Sequence, residues 1–234
     1  MRINKFTCLL LWGLGSVFFS QAQEVNQFDA QGNRHGKWVK HYENSDQIRY
    51  QGTFEHGKEV GTFKFYKPDS KKQPVATKTY RANNDTIQVK FYNKTGNLVS
   101  QGGMLGQQRE GKWIIYHKNS KQAMNIEYYK NNKLHGWVET YFPDGTLTER
   151  THYKHGVLDG EQFIYGKNGQ LIQYYTYKNG KLHGLTKTYS GTGKLRSEGN
   201  YKNGMRHGEW KTYENDSLKT QKYPNLKPSV IKKE

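Results

Sequence analysis

A unit of 24–26 residues recurs about eight times through nearly the whole chain, each copy built on Gly…Tyr…turn…Leu…Tyr-x-Asn-Gly…His-Gly. A fixed period of this length confines the chain to a repeat array. One supersecondary unit forms per copy, each unit buries its apolar face only against its neighbours, and little chain remains for a separate catalytic domain. The clearest stretch runs from Leu134-His135-Gly136 through Leu158-Asp159-Gly160 and Leu182-His183-Gly184 to Arg206-His207-Gly208.

The anchor glycines stand at Gly36, Gly61, Gly111, Gly136, Gly160, Gly184 and Gly208, with Ile87 in the position between Gly61 and Gly111. A tyrosine follows each anchor by five residues, at Tyr66, Tyr92, Tyr116, Tyr141, Tyr165, Tyr189 and Tyr213; in the first copy Tyr42 follows by six. Each copy carries two turn signals. One is Asn179-Gly180 and its equivalents Asn203-Gly204, His155-Gly156, His56-Gly57 and Asn131-Asn132; the other is Asp144-Gly145, Asn168-Gly169, Thr192-Gly193 and Thr95-Gly96. Both sets read as two-residue hairpin turns, whose two central residues need positive φ.

The segments between turns are short and rich in tyrosine and threonine, which suits strands of about five to seven residues. Two strands and two tight turns per copy make a continuous antiparallel meander. The second strand alternates: Leu147, Glu149, Thr151 and Tyr153 share a face, as do Leu171, Gln173, Tyr175 and Tyr177. In the first strand Trp38, Trp113 and Trp210 follow their glycines by two residues and the tyrosines follow by five. That parity places them on opposite faces unless a bulge intervenes.

Hydrophobic residues make up only 33% of the chain, so a thick two-layer core is not available. Cross-strand aromatic and Tyr–Leu pairs, each contributing about 0.2–1 kcal/mol, must supply the stability. Roughly sixteen strands at about 4.8 Å spacing would extend some 75 Å, and sheets of that width curl. The expectation is an all-β, elongated antiparallel β-meander of about eight hairpin repeats in a twisted or curled open sheet, spanning residues 34–223.

Arg2 and Lys5 precede an apolar run from Phe6 to Phe19, followed by Ser20-Gln21-Ala22. A charged start, a short apolar stretch and small residues before a cut site describe a secretory signal peptide over 1–22. About 20 apolar residues are needed to span a bilayer, more than this run supplies. The single cysteine, Cys8, lies inside it, which leaves the mature chain without disulfide or thiolate chemistry. The periplasm, the outer envelope or secretion is the expected location. Residues 23–33 read as a polar leader and 224–234 as a basic, disordered tail.

Lys and Arg together number 37 against 20 acidic residues, and loss of Arg2 and Lys5 leaves a net charge of +15 with histidine neutral. Such a charge acts at long range on anionic lipid, acidic glycan or nucleic acid, and export makes nucleic acid the least available.

Tyr177-Lys178-Asn179-Gly180-Lys181-Leu182-His183-Gly184, its partner Tyr201-Lys202-Asn203-Gly204-Met205-Arg206-His207-Gly208, and the intervening Tyr189…Gly193-Lys194-Leu195 resemble the bacterial MORN-repeat variant. The resemblance covers about residues 34–218. It departs from the pattern between Gly61 and Gly111, where Lys71-Lys72-Gln73-Pro74 and Arg81-Ala82-Asn83-Asn84 replace the regular turns. It implies hairpins stacked into an extended sheet, used as a scaffold or binding surface and sometimes linked to membranes. Some bacterial members carry the label of antitoxin, which implies a neutraliser of one partner toxin. The family brings no catalytic residues.

Six of nine histidines precede glycine: His35, His56, His135, His155, His183 and His207. Copies of one position lie two strands apart, about 9.6 Å, too far for imidazoles to share an ion that each must approach to about 2 Å. No metal and no cofactor is expected. Lys130, Lys133, Lys154, Lys178, Lys181, Lys202 and Arg206 flank the same turn of successive copies and form a basic rim along one long edge. That rim is either a track for an anionic surface or a solvated guard against edge-to-edge aggregation. The 18 tyrosines could serve as stacking platforms, although a single-layer sheet must use most aromatics as its core.

Gly-x-Ser-x-Gly, His-Glu-x-x-His and phosphate-loop patterns are absent, and Glu149, Glu161 and Glu198 sit at scattered positions. The chain reads as an exported, non-enzymatic scaffold that binds a protein partner in the envelope. Its candidate surface comprises Tyr141, Tyr165, Tyr189, Lys178, Lys181, Lys202 and Arg206. Alternatives are peripheral binding to anionic lipid or glycan through the rim, and antitoxin-like neutralisation of a toxin.

Overall fold

The computed structural model describes residues 24–70, 72–82, 84–214 and 217–224. The expected signal peptide lies outside these residues, and so does the basic tail beyond Pro224. All described secondary structure is β, in nineteen strands joined into one antiparallel meander that stays open. Strands pair with their neighbours in sequence, from Gln27–Phe28 against Arg34–His41 to Met205–Glu214 against Ser217–Tyr223, except where two short segments continue one interrupted strand and share a partner. Among the described residues no helix is long and apolar enough to cross a membrane.

Two features raise the strand count above the sequence estimate. Residues Gln27–Phe28 of the leader pair with Arg34 and His35, adding an edge strand before the first copy. Two expected strands are interrupted at a histidine, giving Lys133–Leu134 with Gly136–Tyr141, and Lys181–Leu182 with Gly184–Tyr189.

The two turn classes differ. At His56-Gly57, Asn131-Asn132, His155-Gly156, Asn179-Gly180 and Asn203-Gly204 both central residues have positive φ, as a two-residue primed turn requires. At Asp144-Gly145, Asn168-Gly169, Thr192-Gly193 and Thr95-Gly96 only the glycine does, so these are not two-residue turns. The Phe142 N–H donates to Thr146 O at 2.8 Å and the Gly145 N–H to Phe142 O at 2.9 Å, closing a three-residue loop with glycine in the left-handed position. The next strand then carries one extra residue: Thr140 faces Glu149, but Tyr141 faces Leu147.

The anchor glycine also answers to backbone geometry. Gly160, at φ 119°, sits where Thr151 pairs with Gln162 but Tyr153 pairs with Leu158, so the Val157–Tyr165 strand bulges there. The bend lets each primed turn lie under its neighbour. Gly156, Gly180 and Gly204 donate their N–H groups at 2.8 Å to Leu134, Leu158 and Leu182 of the copy before.

One face holds the core, a row running across the sheet through direct pairs such as Trp38↔Gly52, Val89↔Gly102, Gly102↔Trp113, Val138↔Thr151 and Thr151↔Gln162. Phe63, Val89, Trp113, Thr151, Thr186 and Trp210 are all buried, and Trp113 is only 1% exposed. A single-layer sheet can bury a tryptophan because the pair partner lacks a side chain. A Cβ placed on Gly102 would lie 2.4 Å from the Trp113 ring, one on Gly199 2.3 Å from Trp210, and one on Gly52 2.5 Å from Phe63. The ring lies flat on the bare backbone.

A cation stands over two of these rings and over the half-buried Trp38. Arg109 stands 4.4 Å over Trp113 and 5.1 Å over Tyr129, Arg206 stands 4.3 Å over Trp210, and Arg34 stands 5.5 Å over Trp38. The indole N–H groups of Trp113 and Trp210 donate to Gly103 O and Asn200 O at 2.8 and 3.0 Å, while Trp38 donates to Gln27 O at 3.0 Å. Burying 150–250 Å² of an aromatic ring contributes roughly 4–6 kcal/mol of transfer free energy. The two buried rings, Trp113 and Trp210, therefore outweigh individual surface pairs. The signature Arg-x-Gly-x-Trp, at Arg34–Trp38, Arg109–Trp113 and Arg206–Trp210, is visible in the sequence but escaped the turn-centred reading.

Candidate functional site

The face opposite the tryptophan row is built from residues one, three and five places after each anchor. Trp113 and Tyr116 point to opposite sides, because the extra residue at the Ile115/Tyr116 register shift falls on the facing strand, and the Tyr116 hydroxyl meets Gln101 there. In the Gly136–Tyr141 copy, the Tyr141 hydroxyl donates to Glu139 Oε2 at 2.8 Å, which places Tyr141 on the side of Glu139. Trp137 shares that side: Arg150 stands 4.1 Å over its ring, His152 meets it edge-on at 5.0 Å, and Arg150 Nε lies 3.4 Å from Glu139 Oε1. Burial, followed by the bond to Glu139, pushes the Tyr141 hydroxyl up to about 12.

The next copy extends the same surface. Phe163 stacks on Tyr165 at 6.5 Å, packs against Tyr174 at 5.2 Å and lies 6.2 Å from Trp137. The Tyr174 hydroxyl donates to Glu161 Oε1 at 2.9 Å, and burial and that bond raise it to about 12 as well. Tyr128 and Leu185 lie on this face by register and are 39% and 37% exposed. Tyr141, Tyr165 and Tyr189 are half-buried at its margin, next to the three-residue loops. Sequence reasoning thus reached the tyrosines but missed Trp137, Phe163 and Tyr174. The missed signal is bulk on alternate residues in neighbouring copies, which register alone assembles into a patch.

Lys178, Lys181 and Lys202 stand at the other end of the hairpins, exposed beside the primed turns. The strand Leu171–Lys178, about 25 Å long, separates them from the tyrosine margin, so the two halves of the expected surface are not adjacent. Lys130 pairs directly across from Lys133, and Lys178 from Lys181. Like charges in facing positions repel, and an anion between them would relieve the repulsion. Arg206 leaves the rim: its guanidinium lies over Trp210 and donates to the Tyr223 hydroxyl at 3.0 Å.

Glu149, Glu161 and Glu198 are each engaged with neighbours. Glu149 accepts from Thr151 and Gln162, Glu161 from Tyr174, and Glu198 lies 3.5 Å from Lys187.

Four of the histidines meet in pairs. Those before an anchor glycine meet those in the following primed turn, so unlike positions pair. His35 and His56 have ring centroids 5.0 Å apart, as do His135 and His155. The estimate of about 9.6 Å applies only between like positions.

This geometry defines a class: an open, single-layer β-hairpin repeat protein with one face spent on its own core and the other partly apolar. Residues 134–155, 158–179 and 182–203 match the MORN repeat variant family, as three consecutive repeats of that type. The family is a binding repeat type, found as protein- and lipid-binding modules. No curated protein is found to match the sequence. Among solved structures, one chain of the structure titled "Crystal Structure of TcdB2-TccC3-Cdc42" is similar at 15% identity with a TM-score of 0.21. The likeness covers 84% of this chain and only 14% of that one.

Proposed function

We propose that the chain is an exported, non-enzymatic scaffold that binds a protein partner in the cell envelope through the face carrying Trp137, Phe163 and Tyr174. The single observation that carries this reading is the patch itself. Trp137, Phe163, Tyr165 and Tyr174 touch one another in series, capped by Arg150 and flanked by exposed Tyr128 and Leu185. Tryptophan, tyrosine and arginine are the residue types that dominate protein–protein hot spots. The opposite face already spends its tryptophans on the core, so these aromatics remain for a partner. The signal-like start of the chain supports export.

A second reading is favoured by the facing pairs Lys130↔Lys133 and Lys178↔Lys181, which suit an anionic lipid or glycan at the rim. Pull-down of the tagged chain from detergent-solubilised envelope extract, at low and moderate salt, separates the two. The scaffold reading expects one protein recovered near stoichiometrically at both salts and lost with Tyr128→Asp and Leu185→Asp. Recovery of lipid or glycan alone, abolished at moderate salt and insensitive to those substitutions, would replace it with the rim.

A further inference from the structure

We propose that Asp29, His35 and His56 form a binding site for one divalent transition-metal ion of the zinc, nickel or copper class at the first turn of the array. One ligand atom from each lies within 4.8 Å of the other two. The three come from separate segments. Asp29 opens the turn of the leader hairpin, His35 lies in the strand Arg34–His41, and His56 is the first central residue of the primed turn that folds back beside them.

The carboxylate is held in place before any ion arrives. Asp29 Oδ1 accepts the N–H groups of Gln31 and Asn33 at 3.0 and 2.8 Å. That leaves Oδ2 turned toward His56, whose Nδ1 is 2.8 Å away, with the Asn33 amide at 3.3 Å. The His35 ring completes the group, 5.0 Å from that of His56 and tilted 48° to it.

Two imidazoles and one carboxylate suit zinc, nickel or copper rather than the oxygen-seeking calcium or magnesium. Metal–ligand bonds of about 2.0–2.2 Å set tetrahedral ligands about 3.3–3.6 Å apart, with water in the remaining position. The 4.8 Å spread must therefore contract, and His56, whose side chain is 66% exposed, is free to swing inward. The ion takes the place of the hydrogen on His56 Nδ1, which moves to Nε2 of the neutral ring as Nδ1 turns from donor to metal ligand.

The array contains its own comparator. His135 and His155 form the same kind of pair at the same 5.0 Å, but among the described residues no third histidine, cysteine or carboxylate joins them. The bound ion would tie the leader hairpin to the first full hairpin. The leader strand Gln27–Phe28 is only two residues long, yet it receives the Trp38 indole N–H and packs Phe28 against that ring at 5.2 Å. An ion there clasps the end of the array, and binding only the folded form stabilises it.

The test is titration of the chelator-stripped full chain with Co²⁺ and with Zn²⁺, followed by cobalt visible absorption and calorimetry. One equivalent is expected to bind. His56→Asn, His35→Gln and Asp29→Asn should each weaken binding about tenfold or more, and His135→Gln should leave it unchanged. Asparagine already occupies the turn position of His56 at Asn179 and Asn203, so His56→Asn keeps the fold, and unchanged metal-free thermal unfolding verifies this. Absence of saturable binding would overturn the site, as would binding that survives His56→Asn or falls equally with His135→Gln.

Discussion

Gly102→Ala tests whether single-layer burial of tryptophan depends on a bare partner. The φ of Gly102 is not in the left-handed region, so alanine meets no backbone strain there. In a strand that change would by itself stabilise by about 0.4–1 kcal/mol, through the unfolded state. The new Cβ, however, would stand 2.4–2.5 Å from Cδ2, Cε2 and Cγ of Trp113. Carbon atoms rest about 3.5–4.0 Å apart, so the ring must lift by more than about 1 Å. Lifting it strains the 2.8 Å bond to Gly103 O and pushes the indole against Arg109, 4.4 Å above it. Overpacking of this kind costs about 1–3 kcal/mol and the buried hydrogen bond contributes about 0.5–1.5. A net loss of about 2 kcal/mol results, or about 4–8 °C in Tm for a chain of this size.

The sign should reverse when the ring is removed. In a Trp113→Val background, which copies the valine at Val89, Gly102→Ala should be neutral or stabilising. Urea unfolding followed by far-ultraviolet circular dichroism supplies the four stabilities of the double-mutant cycle. An equal cost of Gly102→Ala in both backgrounds would refute the ring-on-glycine account.

Three further outcomes follow from the same geometry. Gly160→Ala should cost about 1–2 kcal/mol, since its φ of 119° admits no L side chain easily and the new Cβ would meet His152 at 3.1 Å; thermal unfolding reads it. Tyr141 and Tyr174 have folded pKa values raised from 10.0 to about 12, so the native state holds those protons more tightly; stability is fully present below about pH 10 and is lost as pH rises toward 12. Denaturant midpoints between pH 9 and 12 should therefore fall, and Tyr141→Phe should flatten the fall. Charge reversal at Lys178, Lys181 and Lys202 should abolish any binding to vesicles of anionic lipid in a co-sedimentation assay while leaving unfolding within about 0.5 kcal/mol of the parent; unchanged vesicle binding removes the rim from consideration.

Much of the architecture was legible in the residues because local chemistry dictates it. Asn179-Gly180 and Asn203-Gly204 specify primed turns through their φ angles, and a 24-residue spacing of those turns leaves room for only one pair of strands per copy. The second turn was misjudged because Asp144-Gly145 looks the same in sequence as a two-residue turn. The flanking hydrogen bonds, Phe142 to Thr146 and Gly145 to Phe142, decide that it is a longer loop. The candidate surface was legible only in part. Tyr141, Tyr165 and Tyr189 stood out as a recurring position, whereas Trp137, Phe163 and Tyr174 occupy different positions in different copies and become neighbours only through register.

The sequence by itself determined the repeat, the antiparallel meander and the turn sites, since each depends on residues a few places apart. Tertiary structure decided which face holds the core, which glycine lies under which ring, and which histidines meet. Those outcomes depend on contacts between residues 11 to 27 positions apart, as in Gly102 with Trp113 and Asp29 with His56. Across such separations a shift of one residue in strand pairing moves every side chain to the other face, so only the assembled ladder, bulges included, could select the partners.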